Sequence, residues 1–142
     1  MLAEREVSKR NFLPILGILS GWNKTDPHSV EKFLDHALSD DVWGARLPEL
    51  QCAVGLTDAG FRRILQSLNL GLAPSWQYTY LSFGRATDPL SPESIATLIA
   101  RVSDLPEGPA VALDILGMVV YSAREKGDNF VSEIAEIAHN FM

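Results

Sequence analysis

Residues 91–102, Ser-Pro-Glu-Ser-Ile-Ala-Thr-Leu-Ile-Ala-Arg-Val, set the reading of the whole chain. Ser91 is a residue type that caps helices, and Pro92 stands at the first helical position, where a missing amide proton is not needed. Ile95, Leu98, Ile99 and Val102 follow Ser91 at offsets of 4, 7, 8 and 11. On a helix of about 3.6 residues per turn these positions form one stripe, so the segment predicts a helix that must bury that stripe against a neighbour.

The same ladder recurs upstream. Val30, Phe33, Leu34 and Ala37 follow Asp26-Pro27, and Phe61, Ile64, Leu65 and Leu68 follow Thr57-Asp58. A looser copy, shifted by one residue, follows Asp128 as Val131, Ile134, Ile137 and Phe141. The starts lie 31, 34 and 37 residues apart, the size of a helical hairpin repeat. Second helices are expected between them at about Leu47–Val54, Pro74–Phe83 and Pro109–Arg124. A first helix from about Ser8 to Leu19 should be bent or broken at Pro14 and Gly17. Gly71, Gly84, Gly108 and Gly127 fall at or near proposed helix ends.

These elements predict an all-α fold of about seven or eight helices, with antiparallel hairpins stacked as a short HEAT-like array in one repeat-like domain over residues 1–142. Leu34, Leu65 and Ile99 should then hold equivalent core positions. The hardest segment is residues 75–83, Ser-Trp-Gln-Tyr-Thr-Tyr-Leu-Ser-Phe, whose aromatics alternate at Trp76, Tyr78 and Tyr80 as in a strand. It lacks a partner strand, and a helix would gather Trp76, Tyr80 and Phe83 on one face, so the helix is preferred.

Composition narrows the function classes. A hydrophobic content of 46 % is ample for a core, and a single cysteine, Cys52, excludes an internal disulfide and cysteine-rich zinc sites. The lone cysteine, the acidic start and the lack of a long apolar run predict a soluble cytoplasmic protein with no membrane partner. A net charge of −6 weighs against a broad nucleic-acid surface.

Candidate catalytic groups are sparse. Cys52 has no nearby cation to lower its thiol pKa and reads as a structural thiol. His28 and His36 are eight residues apart, about 12 Å along a helix, too far to share one metal. Asp40-Asp41 reads as a solvated helix end, and His139 adds no partner. No phosphate-binding glycine loop, Gly-x-Ser-x-Gly elbow or His-Glu-x-x-His helix occurs. The expectation is therefore a protein without catalytic residues, metal or cofactor, and a small enzyme with an unrecognised site is the remotest alternative.

Two features point to binding. Residues 47–70 read as helix, turn at Val54-Gly55-Leu56, then helix, which looks like a helix-turn-helix whose Arg62 and Arg63 would meet nucleic acid. Gln51 stands where such motifs need a small residue, and the acidic surroundings weaken that alternative. The other feature is the concentration of aromatics and a guanidinium at Trp76, Tyr78, Tyr80 and Arg85. Trp76 and Tyr80 are expected to fill a groove between hairpins with their polar atoms at the rim, leaving Tyr78 and Arg85 towards solvent. Tyr78, Arg85 and Trp76 are thus the candidate binding surface.

Residues 75–122 also resemble a helical segment near the C-terminus of large bacterial ATPase proteins, some related to antiviral NTPases. The resemblance rests on Trp76, Tyr80, Leu81, Gly84-Arg85-Ala86-Thr87 and Val111-Ala112-Leu113-Asp114-Ile115-Leu116-Gly117-Met118, about a third of the chain. It implies a repeat-like accessory region, the sensor or C-terminal part of a multidomain ATPase, or a stand-alone cousin of it. No Walker motif is present, so the resemblance carries over no ATPase activity. The expected function is a non-catalytic recognition or scaffold module engaging a protein partner or domains in cis.

Overall fold

The computed structural model describes residues 2–141, with side chains described for 14–140. Among the described residues the fold is all-helical, with helices joined by turns and no strand. Eight α-helices run in order: α1 (Leu2–Thr25), α2 (Pro27–Ala37), α3 (Asp41–Gly44), α4 (Leu47–Val54), α5 (Asp58–Leu70), α6 (Pro92–Ser103), α7 (Gly108–Ala123) and α8 (Asp128–Phe141). Two 3-10 segments, Ser75–Ser82 and Arg124–Lys126, complete the path.

The capping residues do what their chemistry predicts. Asp26 Oδ1 accepts from the Ser29 amide at 3.2 Å, Thr57 Oγ1 from the Gly60 amide at 3.0 Å, and Ser91 Oγ from the Ser94 amide at 3.2 Å. Each bond satisfies one of the amides that a helix start leaves open. Those from Ser29 also hold the Asp26 carboxyl below its ordinary value. Asp128 differs: it is the first residue of α8 rather than a cap.

Several expectations are corrected. The first helix runs unbroken through Pro14 to Thr25. Asp40-Asp41, read as a solvated helix end, instead starts a further short helix, α3, because Asp40 Oδ1 accepts from the amides of Val42 and Trp43 at 2.8 and 2.9 Å. Residues 75–82 form a 3-10 helix in place of the expected α-helix. Gly108 opens α7 from a buried position instead of ending a helix. A Cβ there would lie 1.9 Å from the Val102 carbonyl oxygen, so the backbones pack with no room for a side chain.

Two clusters of buried side chains form the core. One gathers Leu19, Val30, Leu34, Ala37, Leu47 and Leu50 from α1, α2 and α4. The larger is built on Ile64, Leu68, Tyr78, Leu81, Ile95, Leu98, Ile99, Ile115, Val119 and Ile134 from α5 to α8 and the 3-10 segment. Leu34 and Ile99 are buried as expected, but Leu65 is half-buried and Ile64 takes the fully buried position. Here α5 turns a face running through Gly60, Arg63, Ile64, Ser67 and Leu68 inward, so its ladder is rotated from the apolar stripe. In α8, Ile134 is buried and Val131 faces outward, while the Phe141 side chain lies outside the described residues.

The segment Ser75–Ser82 joins the two halves. It packs on α4 on one side and on α7 on the other, and α7 in turn packs on α6 and α8. None of the helices searched is long and apolar enough to cross a membrane.

Candidate recognition surface

Residues 75–82 are wound as a 3-10 helix, but the residues they bury come in adjacent pairs four apart, so one side of the segment is packed and the other faces solvent. Gln77, Tyr78, Leu81 and Ser82 turn inward. Trp76 and Phe83 face outward and Tyr80 is half-buried between them. The helical reading grouped Trp76, Tyr80 and Phe83 correctly, but for Trp76 the side is inverted. It is 53 % exposed, whereas Tyr78, expected at the surface, is 0 % exposed.

The inversion has a polar cause. The Tyr78 hydroxyl lies 2.7 Å from Ser67 Oγ inside the core, so α5 supplies the partner that a buried phenol needs. Burial pushes the Tyr78 phenol above its ordinary pKa, opposed in part by the bond to Ser67.

Beneath the aromatic surface lies a pinned carboxylate. Glu49, buried on α4, accepts from Arg46 Nη1 at 3.2 Å and from Gln77 Nε2 at 3.3 Å, while its own amide donates to Gln77 Oε1 at 3.3 Å. Tyr80 also hydrogen-bonds Glu49. Burial first, and then the Glu49 charge and that bond, push the Tyr80 phenol up, against a smaller opposing effect of Arg46. The Arg46 guanidinium carbon lies 5.8 Å from the centre of the Trp76 ring, and Tyr80 and Phe83 meet edge to face at 5.6 Å. Trp76 thus leans on Arg46 at the head of α4, Tyr80 on Glu49 and Phe83 on Tyr80, while part of their ring surface stays exposed.

Arg85 is exposed, as expected, but its guanidinium is engaged. It pairs with Asp88 and with Glu125, and those bonds raise its pKa. Lys126 donates to the Asp88 carbonyl and sits 4.5 Å above the Phe130 ring. This group ties the turn after the 3-10 segment to the junction of α7 and α8. Asp88 Oδ1 is buried without a hydrogen-bond partner among the described residues.

The arginine pair proposed for nucleic acid is split. Arg62 is exposed, but Arg63 turns inward and is nearly fully buried. Its Nε donates to Asp35 Oδ1 at 2.7 Å and its Nη1 to Gln51 Oε1 at 2.9 Å, and Nη2 pairs with Glu31. Burial disfavours the charge, but the bonds to Glu31 and Asp35 outweigh it and the pKa rises. Gln51 is tolerated at this crossing because the small residue stands opposite. A Cβ on Gly60 would lie 2.5 Å from Gln51 Nε2, which donates to the Gly55 carbonyl at 2.8 Å. Arg63 therefore joins α5 to α2 and α4 and is not presented to a groove of DNA.

Cys52 packs against the larger core cluster, and desolvation pushes its thiol up to about 12. His28, His36 and His139 are exposed, and among the described residues no group of three or more His, Cys, Asp or Glu side chains is placed to hold a metal. An open groove of about 380 Å³ runs between α6 and α8, lined by Ala96, Ile99, Ala100, Ser103, Ile137 and Asn140.

Sequence reasoning missed Phe83, Arg46 and Glu49 as parts of this surface. It also assigned no surface role to α7. In fact Leu113, Val120 and Tyr121 are exposed although the opposite face is fully packed. The signal was present: apart from Asp114 and Ser122, residues 111–123 carry no polar side chain but the Tyr121 hydroxyl, more than one buried stripe requires.

Comparison of the chain with protein-family models, curated proteins and solved structures found no match.

Proposed function

We propose that this chain is a non-catalytic recognition module that holds a protein partner on the surface formed by Trp76, Tyr80 and Phe83. The observation that carries the reading is the exposed Trp76 ring, held beside Arg46 over the buried Glu49–Gln77 pair. Tryptophan, tyrosine and arginine dominate binding energy at interfaces, and a rigid mount lowers the ordering cost of using them. The buried charged groups Glu49 and Arg63 are each tied to side chains of the same chain, which supports a structural role for them.

In this reading the architecture is a short HEAT-like array of antiparallel hairpins. Its support is that α4 to α8 pack largely in chain order, each on the next, with the 3-10 segment between α4 and α7. The partner is either a separate protein or a domain in cis, as for a C-terminal region of a bacterial ATPase, and the lone cysteine favours the cytoplasm.

The test is capture from lysate with the unaltered chain and with Trp76→Ala and Phe83→Ala, each with and without nuclease. A specific protein that survives nuclease and is reduced about tenfold or more by Trp76→Ala is the expected result. Capture indifferent to both variants, or abolished by nuclease and by Arg62→Ala, overturns the reading.

A further inference from the structure

Six residues of α7, namely Ala110, Leu113, Asp114, Gly117, Val120 and Tyr121, are exposed, and so is Arg124, which caps its end. At 100° per residue they form one unbroken face about 120° wide, and every fully buried α7 residue lies outside it. Tyr121 is 79 % exposed. A helix apolar on both sides is ordinarily covered on both sides. Gly117 sits at the centre of the face, in a helix interior where glycine is less stabilising than alanine. Nothing among the described residues requires it there, since a Cβ would meet none of their atoms within 4 Å.

We propose that this face is a self-association surface, on which two copies of the chain pair through antiparallel α7 helices about a two-fold axis between Gly117 and Val120. The charges choose the occupant and its direction. The face has one acid, Asp114, in its first half and one base, Arg124, at its far end, and neither has an ion pair among the described residues. A parallel pairing stacks like charges on one another. The antiparallel two-fold places Asp114 between Tyr121 of the partner subunit and Arg124 of the partner subunit, once on each side of the axis. It also sets Gly117 against Val120 of the partner subunit, where the missing side chain lets the helices approach. A two-fold interface of this kind is self-complementary, as closed dimers require.

Area sets the strength. The face is about 21 Å long, and pairing two copies buries about 1,000 Å² in total, the low end of specific interfaces. The dimer is therefore reversible, with dissociation in the micromolar range or weaker. The residues involved are separate from Trp76, Tyr80 and Phe83, so the proposal stands apart from the partner-binding reading.

The experiment is sedimentation velocity on the whole chain from about 5 to about 500 µM. The expected mass rises from 15.6 kDa towards twice that value with concentration. Tyr121→Lys keeps the helical circular dichroism and remains a single chain throughout. Asp114→Arg and Arg124→Asp each weaken pairing about tenfold, because the two-fold repeats every substitution, and the double variant restores it. A single-chain mass at all concentrations, a dimer that Tyr121→Lys leaves intact, or a double variant as weak as the singles overturns the proposal.

Discussion

Replacing Arg63 by alanine separates a structural arginine from a ligand-contacting one. In the native chain its guanidinium is shared among Gln51, Asp35 and Glu31, drawing α5 onto α4 and α2. Removing it strands Gln51 Oε1 in the core, and an unsatisfied buried acceptor costs about 1–3 kcal/mol. The two carboxylates contribute less, because Glu31 and Asp35 are 35 % and 66 % exposed and recover water when the cation goes. Partly exposed ion pairs of this kind are worth about 0–1 kcal/mol each. The guanidinium's own desolvation, removed with the side chain, offsets part of the loss. The net expectation is destabilisation by about 2–4 kcal/mol, with Arg62→Ala within about 0.5 kcal/mol of the unaltered chain. Urea unfolding followed by circular dichroism reads both, and with a slope of about 2 kcal/mol/M the Arg63→Ala midpoint falls by about 1–2 M. A loss below about 0.5 kcal/mol for Arg63→Ala, or equal losses for the two arginines, would refute the assignment.

Cys52, held at about 12 against an ordinary 9.0, should react with iodoacetamide at pH 8 about a thousandfold more slowly in the folded chain than in urea, and comparable rates would show the thiol to be accessible. Tyr78→Phe removes the bond to Ser67 and should cost about 1 kcal/mol at neutral pH. The Tyr78 phenol is raised above 10 on folding, so its contribution is fully present below pH 10 and is lost as pH climbs through the folded value. Stability measured across that alkaline window should therefore fall less steeply for Tyr78→Phe, with Tyr80 leaving a residual slope, and identical profiles would place Tyr78 outside the core.

The helices were legible because their signals are local. A side-chain oxygen at Asp26, Thr57 or Ser91 reaches an amide three residues on, whatever else the chain does, and the apolar ladders behind them mark a face to be covered. The candidate surface was legible as a region but not in its sidedness. Residues 75–83 advertise aromatics, yet a strand, an α-helix and a 3-10 helix send different ones outward, and the competition is decided by what α4, α5 and α7 offer. Tyr78 went inward because Ser67 was waiting for its hydroxyl, and Trp76 stayed out beside Arg46, itself paired with Glu49.

By itself, then, the sequence determined an all-helical chain, the positions of most of its helices and a core able to hold a lone unreactive cysteine. These follow from hydrogen bonds and periodicity spanning a few residues. Only the tertiary structure decided that Arg63 is a strut between helices, that Trp76 and not Tyr78 meets solvent, and that α7 keeps a second apolar face uncovered. Each of those outcomes depends on which polar group or helix from a distant part of the chain arrives opposite, and residue spacing along a single segment does not encode that.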